Sequence, residues 1–352
     1  MPSDLLGKGA RVAIIVTGVV AGLMLLYFGR AVFEPLVFAG FLIALSGPMM
    51  LRLSPRIGRV PALLVVLVAT IAVVLAFCGI IFWGIQRVTL WTIGHLPQFE
   101  TAYRELERVL ADNGVALSLM MPEQFNPRLI LAPVLALLSH AQELSGFLLL
   151  IFVFTILGLV ELKQAGNRLA RVEARKPSLH ISTVCKDVSG KFGRYMSVRL
   201  VVSIIDTIIC YLFFRLIGLD EPLAWALLVG TFNFIPFIGP LIVAIGLGFF
   251  AAAQYGDLWM VFVGVAGTTL INFVLGSKVE PLMAGNALKM SPVLVLFGVF
   301  FWAVIWGIPG AFIGVQMMIL MLSILAVIPS TRWLAELLGG APAEEDQAKV
   351  SI

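Results

Sequence analysis

Charge is scarce in this sequence. Asp, Glu, Lys and Arg together make up 12% of the residues, about half the share of a typical soluble domain. There are three cysteines, Cys78, Cys185 and Cys210, and three histidines, His95, His140 and His180. The cysteines are isolated, two in apolar runs and one in a basic loop, so neither a disulfide framework nor a CxxC-type metal site is expected. The histidines lie far apart and lack metal-ligand spacing. No G-x-x-x-x-G-K-[ST], H-E-x-x-H or G-x-S-x-G occurs, which argues against a self-contained ATP-driven pump, a zinc protease and a serine hydrolase. No enzymatic activity and no cofactor are expected.

Apolar side chains dominate instead. They make up 60% of the 352 residues, enough for about ten spans of ~20 residues, and a soluble domain of this length could not hide them. The runs are about Val12–Phe28, Val32–Leu51, Pro61–Gly84, Gly146–Leu162, Met196–Ile217, Pro222–Tyr255, Leu258–Gly276 and Pro292–Ile328. They are continuously apolar, whereas outer-membrane strands alternate. The expected class is all-α: a polytopic transmembrane helical bundle. The first run has no clear cleavage site and reads as an uncleaved span.

The net charge of +4 comes from bases clustered between apolar runs. That is the positive-inside pattern and not a nucleic-acid surface. Arg52–Val60 holds Arg52, Arg56 and Arg59. Glu161–Arg199 holds nine bases, among them Lys163, Arg168, Arg171 and Arg175. Ile85–Ser145 holds more acids than bases. The first two are therefore expected in the cytoplasm with both termini, and the third outside. Two amphipathic patterns in the outer stretch, Ala102/Leu106/Val109/Leu110 and Leu131/Val134/Leu138/Ala141, predict a small helical extracytoplasmic domain. In the basic stretch, Val184, Val188, Phe192 and Tyr195 form an apolar stripe after Pro177, which reads as an interfacial helix or an ordinary connector. The expected organisation is 1–84 membrane helices, 85–145 extracytoplasmic domain, 146–195 a membrane helix plus a basic amphipathic segment, 196–330 transport core and 331–352 cytoplasmic tail.

The core carries two interruptions. Pro222–Tyr255 is broken at Asn233-Phe-Ile-Pro236-Phe-Ile-Gly239-Pro240, and Pro292–Ile328 at Gly307-Ile-Pro309-Gly310. The half before the first break spans ~20 Å, short of the ~30 Å core. The loops flanking the first segment lack Lys and Arg, while Lys289 and Arg332 flank the second. Both read as re-entrant hairpins entering from opposite sides, with tips approaching near the midplane, or else as helix pairs with tight turns. Paired broken segments of opposite orientation point to a transporter site, because unwound backbone is tolerated only beside protein or a water-filled cavity.

Single polar residues sharpen the picture. Asp206 lies ten residues into Met196–Ile217, near mid-depth, where a carboxylate costs at least ~2.5–3.5 kcal/mol and so faces protein or water. It reads as a titrating or cation-binding group, or as a structural carboxylate bonded to a neighbouring helix. Asn233 and Asn272, with Thr231, Thr268 and Thr269, read as the lining of a small polar cavity or as interhelical hydrogen bonds. Glu280, before Pro281 at the cytoplasmic edge, reads as a gate or cation ligand, or as a solvated acid beside Lys278.

Several motifs taken in order carry a resemblance: Phe232-Asn-Phe-Ile-Pro-Phe-Ile-Gly-Pro240, Val279-Glu-Pro281-Leu-Met-Ala-Gly285, Met290-Ser-Pro292 and Trp306-Gly-Ile-Pro-Gly310. With these the chain resembles the autoinducer-2 exporter family of bacterial membrane proteins, most closely in the last third. Two stretches depart from the family pattern, Gly314-Val-Gln316 and Tyr195-Met-Ser197-Val-Arg199. The resemblance implies secondary transport of a small molecule or ion across the inner membrane by a homo-oligomer, a pentamer being plausible. Some relatives are assigned signal export and others cation/proton exchange. A membrane scaffold that transports nothing is the remaining alternative. The expected pathway residues are Asp206, Asn233, Pro236, Gly239, Pro240, Asn272, Glu280, Pro281, Gly307, Pro309 and Gly310.

Overall fold

The computed structural model describes residues 8–112, 141–175, 181–284, 290–328 and 330–339. Every regular element among them is helical. In chain order they are α1 (Lys8–Phe28), α2 (Arg30–Ile57), α3 (Arg59–Gly94), α4 (Leu96–Asp112), α5 (Ala141–Arg175), α6 (Ile181–Leu216), α7 (Pro222–Phe232), α8 (Ile238–Tyr255), α9 (Leu258–Val274), a π-turn (Leu275–Val279), α10 (Glu280–Ala284), α11 (Pro292–Val327) and α12 (Arg332–Gly339). Among the described residues, seven helices are long and apolar enough to cross a membrane. This is a polytopic α-helical membrane protein.

Two compact units divide the chain. One comprises Met1–Leu63, Gly146–Phe192 and Met290–Ile352, and the other Leu64–Ser145 and Gly193–Lys289. Helices α3 and α6 run through both. The two breaks fall in different units, and each is described within its own.

The break after α7 makes a hairpin. Pro222 starts α7, where its missing N–H costs nothing. This helix has only 11 residues, so it reaches about 16 Å. The turn then closes on itself. The N–H groups of Asn233, Phe234, Ile235, Ile238 and Gly239 donate to carbonyls of Val229, Thr231, Phe232, Pro236 and Ile235 at 2.7–3.2 Å. Phe237, between Pro236 and Ile238, is held at φ 63° and ψ −52°, a strained γ-turn. Gly239 and Pro240 belong to the first turn of α8 and lie past the break itself. Helix α8 then returns along α7, with Phe250 packing edge-on to Trp225 at 5.2 Å. Both hairpin ends meet the C-terminal end of α6. The Asp220 N–H donates to Gln254 Oε1 (2.9 Å), Gln254 Nε2 to the Gly218 carbonyl (2.8 Å) and the Tyr255 hydroxyl to the Ile217 carbonyl (2.9 Å). Arg87 of α3 pairs with Glu221 at 2.9 Å, and the Trp91 indole donates to Asp220 at 2.9 Å. The Asp220-Glu221 loop thus borrows its cation from a different helix.

Helix α11 also doubles back. Gly307 adopts φ 66°, ψ −142°, a region essentially restricted to glycine. A straight helix would hold Gly298 and Gly314 about 24 Å apart. Here a Cβ on Gly314 would lie 2.8 Å from the Gly298 carbonyl oxygen, so the arms before and after Gly307 pack against each other. The Trp306 indole beside the bend donates to the Leu26 carbonyl of α1 at 3.1 Å, and Phe312 stacks on Phe38 of α2 at 6.2 Å.

Two expectations take a different form. The Val188–Phe192 stripe is part of the continuous 36-residue α6 and faces protein. Val188 and Phe192 are buried, Phe192 packs 5.4 Å from Phe41, and Ser189 donates to the Ala44 carbonyl. Val188 and Phe192 of the stripe thus pack against α2, while Val184 stays half-buried. Of the outer amphipathic patterns, the first is α4, whose buried Phe99 packs edge-on to Trp91 at 6.1 Å. The second lies at 131–140, outside the described residues, apart from Ala141 at the start of α5.

Candidate functional site at the first break

One face of α6 carries a run of buried polar groups. Tyr195, Arg199, Ser203, Asp206 and Cys210 follow each other at spacings of three or four, so they align along a single stripe. All five are buried. Asp206 has no exposed surface at all. Its Oδ1 accepts a long hydrogen bond from the Cys210 thiol at 3.4 Å, while Oδ2 has no partner. An unpartnered buried acceptor costs roughly 1–3 kcal/mol, more when charged, and a proton, a cation or a donor group at Oδ2 would lower that cost.

The first break is pinned beside this carboxylate. Asn233, at the end of α7, directs its Nδ2 to Ser203 Oγ at 3.4 Å. One turn earlier in α7, a Cβ on Gly230 would lie 1.9 Å from Thr207 Oγ1 and 2.9 Å from the Ser203 carbonyl oxygen. Only glycine lets α7 approach α6 this closely. The tip therefore lies against the Ser203–Thr207 turn, 13 residues or about 20 Å before the end of α6.

Toward the other end of the stripe, Arg199 Nη1 donates to Glu280 Oε2 at 2.8 Å. The arginine side chain is 5% exposed and the glutamate 25%. Arg199 lies over the Tyr195 ring at 5.9 Å, and its Nε and the Tyr195 hydroxyl have no partner. Glu280 follows directly on the π-turn, where α9 changes register. Arg194 holds the Met283 carbonyl just beyond at 2.8 Å.

The structure sets Asn233 against Ser203, one turn before Asp206 on the same stripe, with Pro236 and Gly239 in the turn that follows, and links Glu280 to that stripe through Arg199. Glu280 is an ion-pair partner and not a solvated acid beside Lys278. Pro281 occupies the first turn of α10. Asn272 instead bonds its own helix, donating to the Thr268 carbonyl at 3.0 Å, and Thr268 donates to Gly264 and Thr231 to Leu227. Those threonines and Asn272 each donate to a carbonyl one turn back in their own helix. Thr269 is exposed, in an apolar groove along α9 with Leu258, Phe262 and Phe273. Gly307, Pro309 and Gly310 form the bend of α11 in the other unit. Sequence reasoning passed over Ser203, Arg199 as a partner of Glu280, and the half-buried Glu34 of α2. The i, i+3 spacing of Ser203 and Asp206 was the available signal for the first of these.

The family model described as AI-2E family transporter matches residues 17–330. The chain belongs to the AI-2E transporter family. Among its relatives, "AI-2 transport protein TqsA" of Escherichia coli (strain K12) is 22% identical over 325 residues, covering 89% of this chain and 91% of its own. "Putative transport protein YhhT" of the same organism is 24% identical over 269 residues, or 74% of each chain. A Borreliella burgdorferi protein also named "Putative transport protein" is 28% identical over 197 residues, 55% of this chain and about half (54%) of that relative's length. The AI-2E match covers the four motifs that carried the resemblance, and both broken helices lie inside it.

Proposed function

We propose that this AI-2E family protein is a secondary transporter of the bacterial inner membrane that exports a small polar solute, autoinducer-2 or a related signal. The unpartnered Asp206 Oδ2, fully buried beside a helix break, carries this reading. Intramembrane carboxylates mark solute and ion pathways, and broken helices mark where such pathways cross the midplane. The name of the Escherichia coli relative TqsA supports the solute class.

In this reading the pathway runs along the polar stripe of α6. The N–H groups of the first break are spent on its own turns, so side chains make the contacts. Asp206 Oδ2 accepts a hydroxyl from the solute. Ser203 and Asn233 hold the adjoining surface, and the Pro236–Gly239 turn shortens α7 enough to expose it. Glu280 and Arg199 close the cytoplasmic end. The α7–α8 hairpin enters from outside, both termini and Lys163–Arg194 are cytoplasmic, and the protein works as a homo-oligomer. The same unpartnered carboxylate favours a second reading, cation/proton exchange on this scaffold.

Proteoliposomes test the choice. Autoinducer-2 flux that persists without alkali cations supports export. Proton flux that appears only with an alkali cation supports exchange. Reconstituted protein that moves neither under any gradient contradicts both. Asp206→Asn keeps the side-chain shape and removes the charge, and it is expected to lower transport at least tenfold while leaving the helical content and assembly unchanged. Wild-type transport by Asp206→Asn at every pH would make Asp206 a structural group. Orientation is read separately by single-cysteine labelling. Labelling of the Lys163–Arg194 segment from the outside would overturn the proposed topology.

A further inference from the structure

We infer that the corner where α2, α3 and α5 meet is a binding site for an anionic phospholipid of the surrounding bilayer. The observation is a convergence of unpaired cations at the level where an apolar helix turns polar. Along α5 the apolar run ends at Leu162, and from Lys163 onward the helix is mostly exposed and carries Lys163, Gln164, Asn167, Arg168, Arg171 and Arg175. Helix α2 meets it at this level, since a Cβ on Gly47 would touch Leu162 at 3.4 Å. Helix α3 meets it there too, because the Arg59 guanidinium donates to the Val160 carbonyl. Gly47 and Arg59 are twelve residues apart in the chain yet reach α5 within one turn of each other. The intervening segment, with Pro48 and Pro55 inside it, therefore crosses α5 obliquely and does not continue along it.

That crossing segment is two-sided. Met50 is buried, while Leu51, Ile57 and Val60 are exposed apolar side chains. Beside them Arg52, Arg56 and, across on α5, Lys163 are exposed, and none of the three makes an ion pair or a hydrogen bond among the described residues. Arg59 is fixed by its carbonyl contact with other guanidinium N–H groups to spare. Acyl chains fit the exposed Leu51, Ile57 and Val60. A phosphodiester one headgroup higher fits Arg52, Arg56, Arg59 and Lys163. Free phosphate would use the cations alone and leave the apolar side chains uncovered, which is why the lipid is the occupant assigned. Basic corners between membrane helices on the cytoplasmic side recognise such headgroups.

The test uses the full-length protein in a neutral detergent, with phosphatidylglycerol, phosphatidylcholine and inorganic phosphate as separate probes. Binding is read by native mass spectrometry and by the shift in thermal midpoint. Phosphatidylglycerol is expected to bind and to raise the midpoint, with the other two weaker by at least tenfold. The triple variant Arg52→Gln, Arg56→Gln, Lys163→Gln keeps Arg59 and is expected to bind phosphatidylglycerol about 100-fold more weakly, the equivalent of roughly 1 kcal/mol per charge. A matched triple, Arg168→Gln, Arg171→Gln, Arg175→Gln, removes the same charge about 8–18 Å farther along α5 than Lys163 and is expected to bind within about threefold of wild type. Equal binding of phosphatidylcholine, equal binding of phosphate, or equal losses in the two triples would each overturn the site.

Discussion

Gly239→Ala and Gly310→Ala are expected to damage the protein more than any other single methyl additions. A Cβ at Gly239 would lie 1.8 Å from the Phe232 carbonyl oxygen, and one at Gly310 1.9 Å from the Trp302 carbonyl oxygen. The obstructing atom is backbone in both cases, so no side chain can turn aside. In each hairpin the glycine lets the arm after the break start against the last turn of the arm before it. Overpacking of this kind costs typically about 1–3 kcal/mol and sometimes more, and here it must be relieved by opening the turn itself. The measurement is the thermal midpoint in detergent alongside flux in proteoliposomes. Both variants are expected to lose most transport and several degrees of midpoint. Gly40→Ala, where nothing lies within 4 Å, is the control and should change neither. Normal transport by Gly239→Ala would mean that the tight turn is dispensable.

The Arg199–Glu280 pair should give the second large effect. Removing one partner of a buried pair leaves an uncompensated charge and costs about 3–5 kcal/mol. Glu280 retains some exposure, so Glu280→Gln is expected at the lower end. It strips the countercharge from an arginine whose Nε is already unpartnered. Replacing both groups by apolar side chains of similar size, Arg199→Met with Glu280→Leu, is expected to recover most of the stability. Transport is not expected to recover with it, because the proposed closure by this pair is lost. The thermal midpoints of the two singles and the double form a cycle that isolates the pair. Additive losses would show that the two residues do not act together.

Much of this architecture is legible in the sequence because lipid imposes few solutions. Long apolar runs must be helices, and Ile-Pro-Phe-Ile-Gly-Pro and Gly-Ile-Pro-Gly must interrupt them. What the runs conceal is continuity. Met196–Ile217 is only the apolar half of α6, whose basic first half is equally helical because its stripe is buried against α2. The site was half legible. A lone carboxylate such as Asp206 stands out against apolar neighbours at any depth. Its relation to Ser203 and Asn233 depends on how closely α7 approaches α6, and that is set by Gly230, a residue without any chemistry to notice. The Arg199–Glu280 pair joins positions 81 apart in sequence, and no local pattern announces it. Asn272 and the threonines looked equally suited to a cavity. Their donors are satisfied by carbonyls one turn back, a choice that hydropathy cannot reveal.

The central claim is that the Ser203–Asp206 stripe of α6 lines the solute path. Cysteine accessibility tests it most directly. In an active variant without Cys78, Cys185 and Cys210, a single Ser203→Cys is exposed to a small water-soluble thiol reagent in reconstituted vesicles. Labelling during turnover, slowed by excess solute and accompanied by loss of transport, is the predicted result. A Ser203→Cys protein that transports normally and stays unlabelled from both sides would place the path elsewhere.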